Sequence, residues 1–184
     1  MISLRKSLVL LLLAAAIPAW AQGPEVGRLL VASPTLDDPD VAESVLLILL
    51  HENGSSAAIF LNRPTWVEPT EAYPDVDGLE SYTDPLFRGG PVAPEQMLIL
   101  FEYDGAPPVG ARQLFGNVYF SPSVDFFSTI DLRSETAPRV RVYAGHAQWG
   151  PGQLAAEIVA GIWRVIEGQA RAVFDAEPDR KSVV

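Results

Sequence analysis

The sequence predicts a single domain that combines β-strands with a few α-helices, and three observations support this. Several short apolar runs are each bounded by glycine, proline, asparagine or serine, which is typical of strands. Asn53-Gly54 separates two of these runs, and this dipeptide is strongly favoured in two-residue hairpin turns. From Leu154 to Val165 apolar residues recur with helical spacing, which predicts one amphipathic helix. The 184 residues are enough for one domain with a well-formed core.

Three strands are predicted in the first half of the chain. The first two are almost wholly apolar, as expected of strands covered on both faces, and the third follows the Asn53-Gly54 turn. The residues between the first two strands have turn chemistry. Asp37 or Asp38 can cap a short helix there, with Pro39 in its first turn. The three predicted strands are residues 28–32, 45–52 and 57–64.

Residues 65–88 differ from what precedes them. This segment holds three prolines and six acidic residues against the single basic residue Arg88. Prolines and like charges disfavour regular structure, so we expect a long acidic surface loop within the domain, with one helical turn near Leu79. Gly89-Gly90 then predicts a tight turn that needs glycine dihedral angles.

The second half is predicted to hold four strands and two helices. Arg139 and Arg141 alternate with two valines, which indicates a strand with one solvated face. The last helix is expected to begin near Pro151, because proline is favoured in the first turn of a helix. The predicted strands are residues 96–104, 112–121, 139–145 and 171–176, and the other helix spans residues 124–130.

Residues 1–21 have the features of a secretory signal peptide. Arg5 and Lys6 form a basic beginning, and a continuous apolar stretch follows that is too short for a membrane span. Cleavage is expected after Ala21, where small residues alternate. The protein is therefore predicted to be periplasmic or secreted. The domain would then comprise residues 22–176, followed by a polar tail at residues 177–184.

Charge and cysteine content narrow the range of functions. The chain has 13 basic and 23 acidic residues, a net charge of −10, and no dense cluster of lysine and arginine. A surface of this kind repels phosphate backbones, so we expect no nucleic-acid partner and no membrane contact after signal cleavage. The absence of cysteine excludes disulfides and thiol chemistry, and it makes an oxidising compartment harmless to the protein.

The two histidines, His51 and His146, are the candidates for a catalytic role. His51 could act as a general base oriented by Asp37, Asp38 or Glu43, but a histidine at the end of a strand is more commonly an imidazole hydrogen-bonded to backbone. His146 has the same two interpretations. The sequence contains no G-x-S-x-G, no H-E-x-x-H and no Walker lysine. We therefore expect neither a metal nor a cofactor.

The motif from Gly150 to Ala155, G-x-G-x-x-A, is the strongest suggestion of nucleotide binding. It opens the predicted helix, and Asp175 lies at the spacing of the acid that binds ribose in dinucleotide fingerprints. Against this, the predicted strand ends too early, near Gly145, and Pro151 removes one amide donor. A plain helix entry is the preferred interpretation, although an anion could still bind the free N–H groups there.

Four stretches of the chain carry a family resemblance through their order and spacing. They read "LLVASPTLDDPDVAESVLLILLHENG", "FLNRPT", "RGGPV" and "GHAQWGPGQLAAEI", and they lie within residues 28–174. Together they resemble the YqgE/AlgH family of bacterial proteins. The resemblance implies one compact α/β (α+β) domain, with a mixed, bifurcated β-sheet that forms a partial barrel flanked by helices. It brings no established catalytic activity, and His146 occupies a position where the family usually has an aromatic residue.

The expected function is that of an exported binding module for an unknown small molecule or protein partner, because loop residues on a strand scaffold are where function usually lies. The alternative is a small hydrolase or nucleotide-binding enzyme that uses His51, His146 or the helix N-terminus at Gly150–Ala155. The predicted ligand- or partner-binding residues are Ser33, Pro34, Asp38, Asn62, Arg63, Gly89, Gly90, Trp149, Gly150 and Gln153.

Two interpretations stay open for these loop residues. The Asn62-Arg63 and Gly89-Gly90 pairs could serve only to form required turns. In so acidic a domain Arg63 is expected to pair with Asp37, Asp38 or Asp84 rather than to remain free for a ligand. Replacing it should then cost stability.

Overall fold

The computed structural model describes residues 23–174, so the predicted signal peptide, the polar tail and Asp175 lie outside the described residues. Within that range the chain forms nine strands and four short helices. The strands are β1 (Leu29–Ala32), β2 (Val45–Glu52), β3 (Ser55–Phe60), β4 (Phe87–Arg88), β5 (Val92–Glu102), β6 (Arg112–Phe115), β7 (Val118–Ser121), β8 (Arg139–Trp149) and β9 (Trp163–Ile166). The helices are α1 (Pro69–Ala72), α2 (Phe126–Thr129), α3 (Gln153–Val159) and α4 (Ala170–Phe174).

All nine strands belong to one sheet, with the order β6-β7-β5-β8-β3-β2-β1-β9 and β4 paired with β8. The pairing is antiparallel except between β4 and β8, which run parallel. Strand β8 has 11 residues; its N-terminal part pairs with β5 and its C-terminal part with β3. The mixed sheet therefore divides along β8, as a bifurcated sheet does.

The sheet curls so that its two ends approach one another. A Cβ added at Gly27, just before β1, would lie closer than 3.0 Å to the carbonyl oxygen of Leu114 in β6. A Cβ at Gly168, just after β9, would come equally close to the ring of Phe115. The concave side holds one large apolar cluster that includes buried residues from eight strands and from α4. The structure is a half-barrel, and the predicted α/β fold class is confirmed.

Two further apolar clusters lie outside the curl. One covers β1, β2, β3, β8 and β9 beneath α3 and the segment 33–44, to which Leu36 and Val41 contribute. The other covers β5 and β8 beneath α2 and residues 73–86. Leu79, in a 3₁₀ turn, is fully buried in this second cluster, and so the loop predicted at 65–88 is only partly a surface loop. The helical turn predicted near Leu79 is confirmed.

The local signals of the first half predicted its structure well. Strands at 28–32 and 45–52 are confirmed, and so is the hairpin between β2 and β3. Its two turn residues, Asn53 and Gly54, have φ of 50° and 79°, the left-handed region that a type I′ turn requires. The predicted helix after Asp37 is wrong, because the chain forms a single turn there, with Ala42 N–H donating to Asp38 O.

The second half contains the larger errors. Strand β8 continues to Trp149, four residues beyond the predicted end at Gly145. The predicted long helix ends at Val159, because the residues that seemed to continue its apolar stripe form β9 and pair with β1. Residues 171–176 were predicted as a strand, but α4 occupies this part of the chain up to Phe174.

Two smaller predictions were also wrong. Residues 112–121 form the hairpin β6–β7, with a turn at Gly116-Asn117, and not one strand. Arg141 does not lie on a solvated face, since it is only 6% exposed and its guanidinium lies 4.7 Å from the centre of the Phe87 ring. Both faces of β8 are covered at this point, one by the concave cluster and one by the cluster beneath α2.

Candidate functional site

Two polar residues just after β3, Asn62 and Arg63, hold the segment 33–44 in place. Asn62 accepts a hydrogen bond from the backbone N–H of Val45 (3.1 Å) and donates from its side-chain nitrogen to the carbonyl of Glu43 (2.8 Å). The amide thus binds one backbone acceptor at the end of the segment and one backbone donor at the start of β2, as a paired strand residue would. Asn62 therefore fixes the point at which the segment enters β2.

Arg63 binds the same segment from the adjacent position. Its guanidinium donates to the carbonyl of Ala42 (2.8 Å) and the hydroxyl of Ser44 (2.9 Å), and also to its neighbour's carbonyl at Asn62 (3.2 Å). The half-buried group also lies over the Phe60 ring, 5.9 Å from its centre. Burial, followed by the charge of Arg88, lowers the pKa of Arg63 from its ordinary value. The predicted pairing with Asp37, Asp38 or Asp84 is wrong. The guanidinium donates its hydrogen bonds to uncharged carbonyl and hydroxyl oxygens, and not to a carboxylate.

The segment 33–44 presents polar side chains to solvent. Pro34 and Asp38 are exposed, and Ser33 is half-buried where β1 ends. The Ser33 and Thr35 hydroxyls are hydrogen-bonded at 2.9 Å, and the Asp38 carboxylate accepts from the N–H of Asp40 (3.0 Å). The exposed residues are thus kept in one conformation by their own turns and by the Asn62-Arg63 pair.

A carboxylate joins the end of β8 to α3 and β9. The Oε2 atom of Glu157 accepts from the indole N–H of Trp149 and from that of Trp163, both at 2.8 Å. Its Oε1 accepts from the side-chain amide of Gln153 (3.0 Å). The two indoles are buried and meet edge to face, with ring centres 6.2 Å apart. Trp149 and Gln153 were both predicted to bind a ligand, and both donate hydrogen bonds to Glu157.

The helix N-terminus at Gly150–Ala155 is also occupied by internal contacts. The N–H of Gly150 donates to the side chain of Gln153 (3.2 Å), and the N–H of Gly152 donates to the carbonyl of Gly54 (3.0 Å). The N–H of Gln153 returns to the carbonyl of Gly150 (3.1 Å). These three N–H groups are not free for an anion, contrary to expectation. Strand β8 reaches Trp149, so the strand does not end too early for a nucleotide fingerprint. The argument against the fingerprint is now that these backbone N–H groups already have acceptors within the protein.

Gly89 and Gly90 lie where the chain crosses β8 at close range. A Cβ on Gly89 would overlap the carbonyl oxygen of Gly145, and one on Gly90 would overlap the backbone of His146. Gly89 also donates from its N–H to the carbonyl of Ala144 (2.8 Å). Both glycines are buried, so their position is explained by backbone packing.

The two candidate histidines lie on different strands, His51 on β2 and His146 on β8. The Nδ1 atom of His51 is hydrogen-bonded to the hydroxyl of Ser56 (2.8 Å), its cross-strand neighbour in the hairpin. Ser56 is only 2% exposed, so it is not available to attack a substrate. His146 is half-buried on β8 opposite Val92. In the part of the chain that the structure describes, no group of three or more histidine and acidic side chains could hold a metal ion.

Two clefts on the surface lie away from the predicted site residues. One of about 530 Å³ lies between Tyr82 and the start of β8, with Phe87, Arg139 and Arg141 in its wall. Another of about 310 Å³ is lined by Pro64, Thr65, Trp66, Val67, Glu68 and Pro85. No helix among residues 23–174 is both long enough and apolar enough to cross a bilayer.

The structure brings eight of the ten predicted residues into two groups and places the glycine pair elsewhere. Ser33, Pro34, Asp38, Asn62 and Arg63 belong to the braced segment, while Trp149, Gly150 and Gln153 surround Glu157. The groups are neighbours, since the N–H of Ser33 donates to the carbonyl of Ile162, one residue before Trp163 (2.8 Å). The sequence analysis missed Glu157, because its position on the polar side of the predicted helix resembles that of any solvated acid.

Replacing Glu157 by glutamine should lower the free energy of unfolding by about 1–2 kcal/mol. Glutamine keeps one acceptor oxygen for the indoles but turns its NH₂ toward the amide of Gln153, so two donors meet. Urea unfolding measures the loss. Glu167→Gln is the matched control, because Glu167 is exposed and makes only a surface ion pair with Arg28. Equal stability of both variants would contradict a structural role for the Glu157 carboxylate.

A curled mixed sheet with a few short helices packed against it defines a small α/β half-barrel. Comparison with known proteins identifies its family. The model of the AlgH-like family, DUF179, matches residues 29–182. The chain belongs to this family, and the resemblance noted in the sequence is thereby confirmed.

Relatives and solved structures agree with this assignment. A UPF0301 protein of Streptomyces avermitilis is 36% identical over 160 residues, which cover 84% of this chain and 81% of the relative. A protein of Corynebacterium diphtheriae has a crystal structure with a TM-score of 0.72 and 25% identity, covering 84% of this chain and 81% of that one. The solution structure of the AlgH protein from Pseudomonas aeruginosa has a TM-score of 0.66 and 23% identity, covering 85% of each chain, and supports the fold alone.

Proposed function

We propose that this protein is an exported binding module without catalytic activity, and that segment 33–44 makes its contacts. One observation carries the proposal: Asn62 and Arg63 use their side chains to hold the backbone of an exposed, polar segment. A loop kept in one conformation loses little entropy when a partner binds, which is how scaffolded loops serve recognition. Pro34 and Asp38 would touch the partner, while Asn62 and Arg63 would position them.

Trp149, Gly150 and Gln153 have a supporting part in this proposal. Trp149 belongs to the apolar cluster against which Leu36 of the segment packs, and Gln153 joins Gly150 to Glu157 beside it. Arg63, one of the predicted binding residues, donates its hydrogen bonds to the segment itself. The function is thus a property of the exposed loop, and the residues around it are its frame.

Site-specific photo-crosslinking in the cells that produce the protein tests this proposal. A photoreactive amino acid at position 34 or 38 should give a discrete adduct, because both side chains are exposed on the braced segment. The matched control is position 159 on α3, where Val159 is 90% exposed. The same adduct from all three positions would contradict the proposal. Marked thermal stabilisation by NAD or ATP would instead favour the nucleotide-binding alternative.

Export is proposed on the strength of the basic and apolar beginning of the chain. N-terminal sequencing of the protein recovered from the producing cells should begin at Gln22. An intact Met1 on protein from the cytosol would contradict both the cleavage and the periplasmic or secreted location.

A further inference from the structure

Trp66 is a tryptophan whose side chain is fully exposed, at 103% of the reference area. The tryptophans at 149 and 163 are 6% and 5% exposed, so the fold has buried its other described indoles. Monomeric proteins seldom leave so large an apolar side chain entirely in water, and aromatic residues are enriched where protein partners meet. Trp66 is therefore the first place to seek a second binding surface.

The backbone around Trp66 is fixed in place. Thr65 donates from both its N–H and its hydroxyl to the carbonyl of Leu86, each at 2.8 Å, and the N–H of Val67 donates to the Thr65 hydroxyl (3.2 Å). Pro64 forms a β-bridge with Phe87. We call the surface formed by Pro64–Glu68 and Pro85, which encloses the cleft of about 310 Å³, the Trp66 shelf. The backbone of the shelf is thus held by hydrogen bonds within the protein.

Acidic side chains predominate in the segment that carries the shelf, although Arg63 directly precedes Pro64. Glu68 lines the cleft, and Asp84 precedes Pro85 at its edge. The segment 65–88 contains six acids, all of them exposed, and Arg88 is its only basic residue. An anionic membrane surface or a nucleic acid would be repelled. A cation would be attracted both by the carboxylates and by the face of the indole, which is the best of the aromatic rings for cation–π contact.

We propose that the Trp66 shelf binds a lysine- or arginine-rich, extended segment of another protein. One cationic side chain lies over the Trp66 indole, and its neighbours along the segment pair with Glu68 and Asp84. The prolines at 64 and 85 form the apolar walls on which the aliphatic stems of those side chains rest. This surface is separate from segment 33–44 and does not depend on the function proposed for that segment.

Fluorescence anisotropy with labelled synthetic peptides tests the proposal on the purified protein. The probes are an alternating lysine-glycine decapeptide, its arginine counterpart and a glutamate-glycine control. The basic peptides should bind with an affinity that falls as salt rises, and the acidic one should not bind. Trp66→Ala should weaken binding on the order of tenfold, and Trp66→Phe by less, as the order of ring strengths requires.

Two further variants, a distant control and a double charge substitution, test the position of the binding surface and the part played by its charge. Val109→Ala, at a 101% exposed side chain in the wall of a different cleft, should leave binding unchanged. Glu68→Gln with Asp84→Asn should weaken binding and flatten its salt dependence. Since Trp66 is fully exposed, its variants should melt as the parent protein does.

The proposal is overturned if Trp66→Ala binds the basic peptides as tightly as the parent, because acidic charge alone would then explain the affinity. Equal binding of the acidic peptide would overturn it as well. Sedimentation supplies a third test, since self-association that Trp66→Ala abolishes would identify a second copy of this chain as the occupant. Each of these results is measurable whatever the role of segment 33–44.

Discussion

Gly89→Ala should lower the free energy of unfolding by about 3 kcal/mol or more, the largest loss we expect from a single methyl group in this protein. The added Cβ would overlap the carbonyl oxygen of Gly145, which is backbone and cannot move aside as a flexible side chain could. Moving either chain would also break hydrogen bonds, because Gly89 donates to Ala144 and accepts from the N–H of Phe60 (2.9 Å). Urea unfolding, or the soluble yield if the variant fails to fold, measures the effect.

Gly150→Ala is the matched control for this substitution. No atom lies within 4 Å of a Cβ added at Gly150, and this glycine does not have a positive φ. The control should therefore stay within about 1 kcal/mol of the parent, and it could gain stability through reduced freedom of the unfolded chain. A Gly89→Ala protein as stable as its control would show that Gly89 and β8 are not packed backbone to backbone.

Arg63→Ala should cost about 2–4 kcal/mol in the free energy of unfolding. The substitution removes the donors from the carbonyl of Ala42 and from Ser44, which is 0% exposed, so both oxygens lose their charged partner. The stability of Arg63→Lys should lie between that of the parent and that of Arg63→Ala, because one ammonium group cannot reproduce the planar fork of a guanidinium. The loss should appear as a lower melting temperature and a lower urea midpoint.

Arg164→Ala provides the comparison for Arg63→Ala. Arg164 is an exposed arginine on β9, and its removal should change stability by less than about 0.5 kcal/mol. If Arg63→Ala melts like the parent, then Arg63 does not hold the segment 33–44. If partner binding is also lost in that case, Arg63 is a contact residue and not a positioning residue.

Much of the fold could be predicted because its signals are local. Asn53-Gly54 specifies a tight hairpin on its own, and the apolar runs of β1 and β2 fit a strand buried on both faces. The wrong predictions lie where the structure of a segment depends on pairing with residues that are distant in sequence. Trp163–Ile166 continues a helical apolar stripe in sequence, yet it forms β9 because β1 offers an unpaired edge. Nothing within a local window reveals that edge.

The candidate site could be predicted as a set of residues but not as a set of roles. Asn62, Arg63, Trp149 and Gln153 were predicted as ligand- or partner-binding residues, and each makes hydrogen bonds within the protein. Polar residues in loops can serve the loop or the ligand, and composition does not separate these uses. Trp66 was missed for the opposite reason, since an apolar residue in a loop is normally assumed to be buried.

Pairing of β1 with β9 brings the first and last strands of the sheet together. Most of the chain must therefore be available before the half-barrel can close, and contacts of such high sequence separation make folding slow. A nascent chain that lacks β9 keeps one edge of β1 unpaired and stays open. An unpaired strand edge can pair with other chains, so the loss of β9 would expose the protein to aggregation.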